Sequence, residues 1–494
     1  MSPRFPVPSL YLTSMHIIIN NIVTSISLIH MEGNLDDWDT YEAYEEELQS
    51  VSSYLSSLPP NISQELLQSI LNTDELDAAI RFCALKFLFH NHIRTLIVGP
   101  FPPDYYMRIL DIVSEHGSDL HILDLRGVWV KGDETQKLQQ TLEKLPNLKE
   151  LYVPHVASDS VLATLGRDHS SLLVLDISGA CNVTRDGIEM LCCGPSSTDE
   201  SSHLQIVNIG TPGEGDVIPS NVALLIKNLP DLISLGGYTY VGKALLHLIA
   251  DDDVSSVRET KLQQIHDTET DANTFDAIVK LCPKLESMYL DRPNKGVIGR
   301  LHLIPKLNHV KLNRFDCEEL DSMLTKCGEK LDTLELLVGK GVVDMSALAN
   351  HCPRLEKLVC YKMEFLTHYE QVTFPNLTKL EILHSPITTS CVRYLMTCCP
   401  KVEEFSVGEN VDLTDDDIAD ILGKSSLMEL RELWIANARN LSRISVEVLM
   451  ITCPKLKSIG VLSGWGVSPD DVQELLYEIQ ISNMDLMLWE FFAD

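Results

Sequence analysis

A six-residue phrase, Leu-x-x-Leu-x-Leu, returns roughly every 22 to 32 residues along this chain, and it constrains the fold more than anything else in the sequence. It opens at Leu120 (LHILDL), Leu148 (LKELYV), Leu172 (LLVLDI) and Leu204 (LQIVNI). It resumes at Leu285 (LESMYL), Leu307 (LNHVKL), Leu331 (LDTLEL), Leu355 (LEKLVC), Leu377 (LTKLEI), Val402 (VEEFSV), Leu430 (LRELWI) and Leu456 (LKSIGV). Weaker copies start at Ile93, Leu232 and Leu262. In an extended segment successive side chains point to opposite faces, so the fourth and sixth positions of each copy face a core and the third, fifth and seventh face away from it.

Between the phrases lie apolar runs at helical spacing. Thr184, Thr389 and Thr414 stand at the start of such runs, and Thr184 and Thr414 are followed by acidic residues that suit a helix N-terminus. Pro283, Pro353, Pro400 and Pro454 each follow a cysteine at the far end, where proline stops a helix. Strand, turn and helix repeated in this way predict an α/β leucine-rich-repeat solenoid over residues 90–480, with parallel strands lining a concave face and helices on the convex face. The glycine-rich stretch from Gly210 to Gly242 predicts a loop or a distorted repeat, and Leu235, Ile265 and Cys360 sit in degenerate copies.

A chain of 494 residues would ordinarily divide into several globular domains, but a repeat array grows without dividing. The net charge of -32 argues against nucleic acid and anionic membrane as partners and favours solubility or a basic protein. The 13 cysteines show no framework of spaced pairs, which places the chain in a reducing compartment, cytoplasmic or nuclear. Residues 32–48 hold no lysine or arginine, so residues 1–57 read as a disordered acidic tail. Its first 30 residues read as an extension ahead of Met31. The apolar stretch Met15–Met31 is too short and too polar for a membrane helix. Residues 58–89 predict short helices that cap the open end of the solenoid, and residues 481–494, with LMLWEFFAD, a C-terminal cap.

The runs GACNVTRDGIEMLCCGP, LCPKLESMYL and TCPKLKSIGV resemble the cysteine-containing repeats of F-box/LRR proteins. Upstream, Leu58-Pro59, Ile62, Ile70, Asp74, Leu76 and Cys83 follow the order of an F-box, although the tryptophan that usually follows the cysteine is missing and the glutamate that usually follows Leu-Pro is replaced. A VHL-box-type segment is the related alternative, with Ala79 where its leucine would stand. The resemblance implies the substrate-recognition subunit of a cullin-type ubiquitin ligase. Leu58, Pro59, Ile62, Leu66, Ile70 and Leu76 would then touch an F-box adaptor joined to a cullin, or elongin C in the VHL-type case. A capping role alone, in an acidic scaffold or inhibitor unrelated to ubiquitin, remains the other reading.

No phosphate-binding loop, His-Glu-x-x-His, Gly-x-Ser-x-Gly or Cys-x-x-Cys occurs, so the expectation is a binding protein without cofactor, metal or catalytic centre. The repeat register places Asp124, Tyr152, Asp176, Tyr289, Lys311, Glu335, Tyr361, Glu381 and Trp434 on the concave face, where a protein ligand of basic or mixed charge would bind.

Overall fold

The computed structural model describes residues 2–4, 9–33, 55, 58–73, 75–179, 182–192, 203–213, 217–251, 258–366, 373–408, 411–424 and 427–491. The chain divides into two compact units, Pro8–Leu262 and Gln263–Asp494, the latter joined by Met1–Val7. The residues expected to form the solenoid, 90–480, fall across both units. The distorted repeat lies near this division: Leu235 is buried, Gly236 stands where the next outward side chain would be, and among the described residues this rung meets the sheet at the bridge between Ile206 and Ser234.

In the first unit, strands β1 (Thr95–Ile97), β2 (Ile122–Asp124), β3 (Glu150–Tyr152), β4 (Val174–Asp176) and β5 (Ile206–Asn208) form one sheet in sequence order, every pair parallel. In the second, β6 (Gln264–Thr268), β7 (Ser287–Asp291), β8 (His309–Asn313), β9 (Thr333–Leu337), β11 (Lys357–Tyr361), β13 (Lys379–Leu383), β14 (Glu404–Val407), β15 (Glu432–Ile435), β16 (Ser458–Gly460) and β17 (Met487–Trp489) build a ten-stranded parallel sheet. β10 (Val342–Val343) and β12 (Glu364–Phe365) pair separately. Each unit is thus a stack of strand-and-helix repeats, the leucine-rich-repeat architecture.

The first, fourth and sixth positions of the phrase supply the core. Leu331, Leu334 and Leu336 have no accessible surface, and Leu358 and Cys360 fill the equivalent sites one rung on. The copy at Leu262 forms a full strand although Asp267 holds its sixth position. That buried carboxylate accepts a hydrogen bond from the Thr270 hydroxyl at 2.6 Å, which offsets the cost of a polar group in the core.

The helices begin and end as their sequences dictate. Asp271 and Ser468 close capping boxes with Thr274 and Asp471, and Thr388 accepts from the Cys391 N–H at 3.3 Å. Cys282, Cys352, Cys399 and Cys453 are the C-caps of their helices and are buried. The proline after each then breaks the helix and turns the chain toward the next strand. Asp415 reaches across one repeat to accept from Ser442 and Ser445, and Asp159 does the same for Thr184, so neighbouring helix starts are tied together.

Residues 10–33 do not form part of a disordered tail. Leu10–Gly33 is a helix, α1, that buries Met15, Ile22 and Ile26 against α2 (Pro60–Leu71) and α3 (Ala78–Leu88). The remainder of the acidic stretch, 34–54, lies outside the described residues. Because the helix starts five residues before Met15, it is also long and apolar enough, by length and composition, to cross a membrane. α2 in turn packs on β1, so the three helices form the end layer of the first unit. At the other terminus Met487–Trp489 pairs in register with β16 and adds a rung to the sheet.

Candidate protein-interaction face

The sheet face opposite the buried leucines carries the fifth-position side chains in register. In the first unit this row runs Asp124, Tyr152, Asp176, Asn208. In the second it runs His266, Tyr289, Lys311, Glu335, Val359, Glu381, Ser406, Trp434, Gly460, Trp489. Eight of the nine face residues expected from the repeat register stand in these rows, in two separate groups. The ninth, Tyr361, lies two residues beyond Val359 on the same side of its strand, half-buried.

Position in the row does not by itself make a residue available. Asp124 is buried, and its carboxylate accepts from the backbone N–H of Arg126 at 3.0 Å and from the Arg126 guanidinium at 2.7 Å. Asp176 accepts from the N–H and hydroxyl of Ser178, and Asn208 accepts from the N–H groups of Gly210 and Gly237. These Asx residues fold back onto the turn that leaves the strand. Asp124 and Asp176, both expected on the binding face, thus have carboxylates engaged in holding these turns.

Arg126 lies over the Tyr152 ring at 4.7 Å, and the Tyr152 hydroxyl donates to Glu150 at 2.9 Å. The hydrogen bond that the Arg126 guanidinium donates to Asp124 raises its pKa and keeps it charged.

The second face has more reach. His266 stacks on Tyr289 with centroids 3.9 Å apart, and the Lys311 ammonium sits 4.9 Å from the Tyr289 centroid. Burial pushes the pKa values of His266 and His309 down from the ordinary histidine value, which favours their neutral forms. Glu335, also buried, bonds to Lys311 at 3.1 Å and Lys357 at 2.6 Å. Burial pushes its carboxyl up, but the two lysines outweigh that and hold it below its ordinary value.

Lys379 pairs with Glu404 at 2.6 Å and lies 3.9 Å from Glu381. The middle of this face is therefore a paired network of both signs. In the last rungs Glu432 accepts from the Trp434 indole at 3.3 Å, and the Trp434 and Trp489 centroids are 6.2 Å apart.

The six candidate adaptor contacts separate in the structure. Leu66 and Ile70 are fully buried on the inner side of α2, within the cap. Leu58, Ile62 and Leu76 are half-buried and Pro59 is exposed, while Asp74 lies outside the described residues.

A recurring feature escapes the sequence pattern. The residue that follows each of six successive long strands is left-handed: Glu269, Arg292, Arg314, Val338, Lys362 and His384, with φ between 48° and 56°. Such turns usually select glycine or asparagine, and none stands here. A groove of about 520 Å³ borders this row of turns, lined in part by Lys295, Arg314, Glu318, Val338 and Lys340. Among the described residues no group of three or more histidines, cysteines or carboxylates is placed to hold a metal ion.

No protein-family model matches the sequence, and no curated protein does. Solved structures to which the chain is similar include an internalin from Listeria monocytogenes, at 17% identity over 72% of this chain and 89% of that one, with a TM-score of 0.40. A chain of the yeast Rad7–Elc1 complex shares 14% identity over 88% of this chain and 95% of its own, with a TM-score of 0.44. The plant peptide hormone receptor RGFR1, solved with RGF2, shares 13% over 78% and 77%, with a TM-score of 0.31.

Proposed function

We propose that this chain is a protein-binding leucine-rich-repeat protein, and that its partner lies on the outward face of the ten-stranded sheet. The observation that carries this reading is the in-register outward row, with aromatic residues at both ends (His266 and Tyr289, then Trp434 and Trp489) and a charge network between them. Aromatic side chains offer large contact area at low entropic cost. Many rungs in register let an extended partner gain contacts one repeat at a time. Binding requires no chemistry on this chain, and a cysteine pattern without a framework of spaced pairs fits a reducing compartment, cytoplasm or nucleus.

The finer reading is a substrate-recognition subunit of a cullin-type ubiquitin ligase, acting by proximity: the sheet face holds the substrate beside a separate catalytic module. It is supported by the F-box-like order of residues 58–83 and by the helical pair α2 and α3. With Leu66 and Ile70 committed to the core, its adaptor contacts are Leu58, Pro59, Ile62 and Leu76. The burial of Leu66 and Ile70 also favours the rival reading, a scaffold or inhibitor whose helical segment only caps the repeats.

Quantitative co-purification separates these. Tyr289→Ala with Lys311→Glu is expected to lose the face-bound partner, whereas Tyr477→Ala, on an exposed helix position, keeps it. Leu58→Asp with Ile62→Asp is expected to lose an F-box adaptor and cullin together, or elongin C in the VHL-type case. If neither adaptor accompanies the wild-type chain, the ligase reading falls and the scaffold reading stands.

A further inference from the structure

We propose that the indole of Trp489 receives an arginine or lysine side chain of the bound protein, which rests on the binding face argued above and names the chemistry at its last rungs.

Three other outward aromatics already carry a cation from this chain. Arg126 lies over Tyr152 at 4.7 Å, Lys311 over Tyr289 at 4.9 Å and Lys362 over Tyr361 at 5.3 Å. Tryptophan is a stronger cation–π acceptor than tyrosine, yet no cation lies over the Trp489 ring among the described residues. The basic groups of the neighbouring rungs are committed elsewhere: Lys457 to Asp485 at 2.9 Å, Lys455 to Glu429 at 2.5 Å and Arg431 to Glu403 at 3.0 Å. The chain therefore does not supply from these rungs the cation that its own pattern places on outward aromatics.

The surroundings suit a cationic guest. Gly460, between Trp434 and Trp489 in the row, has no side chain, and the Trp434 indole lies across it with its centroid 6.2 Å from that of Trp489, so the two rings border one apolar surface. Glu432 stands two residues from Trp434 on the same face, and Glu490 is exposed beside Trp489. Met487 and Phe491 are exposed and border the site with apolar surface for the stem of a lysine or arginine.

The backbone adds a second means of holding an extended segment. β17 is the terminal strand of the sheet, and among the described residues no strand pairs with its outer edge. Ser2–Arg4 approach only its beginning, where Pro3 O accepts from the Asp485 N–H and Arg4 bridges Met484. A partner strand could continue along the free edge and place alternate side chains over the indole.

The test is a titration of the full chain with a labelled peptide alternating arginine and serine, and with the same peptide carrying neutral citrulline in place of arginine, read by anisotropy. The wild-type chain is expected to prefer the arginine peptide by about fivefold or more. Trp489→Ala is expected to abolish most of that preference and Trp489→Phe to keep part of it. Trp489→Leu, which retains apolar bulk without the π face, serves if the alanine variant does not fold. Undiminished preference in a folded Trp489→Ala or Trp489→Leu chain overturns the proposal. If peptide binding then disappears with Tyr289→Ala and Lys311→Glu, the wider binding face survives without it.

Discussion

The indole of Trp434 lies across the backbone of Gly460, so close that a Cβ built on the glycine would come within 1.9 Å of Cε3 of the ring. The two residues are partners in the β15–β16 register, and the glycine is what lets the tryptophan lie flat on the sheet. Gly460→Ala is expected to lift the indole, shift its fluorescence and cost about 1–3 kcal/mol of stability through overpacking. An unchanged emission spectrum and melting temperature would show that the ring does not occupy this place.

The buried C-cap thiols give a pH signature. Burial pushes Cys352 up to about 12 and Cys453 up to about 11. The unfolded chain ionises these thiols near their ordinary value, while the folded chain keeps them protonated. The stability they contribute is fully present below that ordinary value and declines as pH rises from about 9 through the folded values. Chemical denaturation between pH 8 and pH 11 should show the loss, and Cys352→Ala should make it shallower. The same thiols should react with a thiol reagent only after unfolding.

Val338 follows β9 with φ of 53°, a conformation that a β-branched residue adopts at a cost, and its side chain is 40% exposed. Its N–H still bonds to Tyr361 O at 2.8 Å, and glycine would keep that bond. Val338→Gly is expected to raise stability by up to about 1 kcal/mol, the relief of strain exceeding the added freedom of the unfolded chain. Denaturant midpoints of the two proteins check this. A clear loss would mean that the turn is not strained.

The cap supplies a fourth expectation. Ile26 on α1 has no accessible surface and packs in the layer over α2 and α3. Ile26→Asp would bury a charge without a partner and should destabilise the cap by several kcal/mol. Hydrogen exchange should then accelerate across residues 58–97 and leave residues 263–491 protected. Uniform acceleration, or none, would show that α1 is not an integral layer of the first unit.

These features differ in how far they could be read from the sequence. The leucines of the rungs were legible because side-chain alternation in a strand has a period of two, and any slip would expose them. The same alternation placed Tyr289, Lys311 and Trp434 on the outward row. It could not show that Asp124 and Asp176 turn back onto the N–H groups of Arg126 and Ser178, since periodicity fixes a face and not what a short polar side chain bonds to there. Leu66 and Ile70 match the F-box order and the inner face of a capping helix equally well, so only packing separates the two. The left-handed turns were invisible because Glu269, Arg292 and Val338 carry none of the glycine signal that marks such turns. The helix over residues 10–33 is obscured in the sequence by Asn20, Asn21, Thr24, Ser25 and Ser27, polar residues that interrupt its apolar run.

The most direct test of the binding face places a photo-crosslinking amino acid at Tyr289 or at Trp434, both on the sheet face, and at Tyr477, exposed on the helix Pro469–Ile481. Each variant is irradiated with its co-purifying partner and the adducts are mapped. The expected result is adducts to one protein from Tyr289 and Trp434 and none from Tyr477. Adducts from Tyr477 alone would place the partner on the helices and contradict the account.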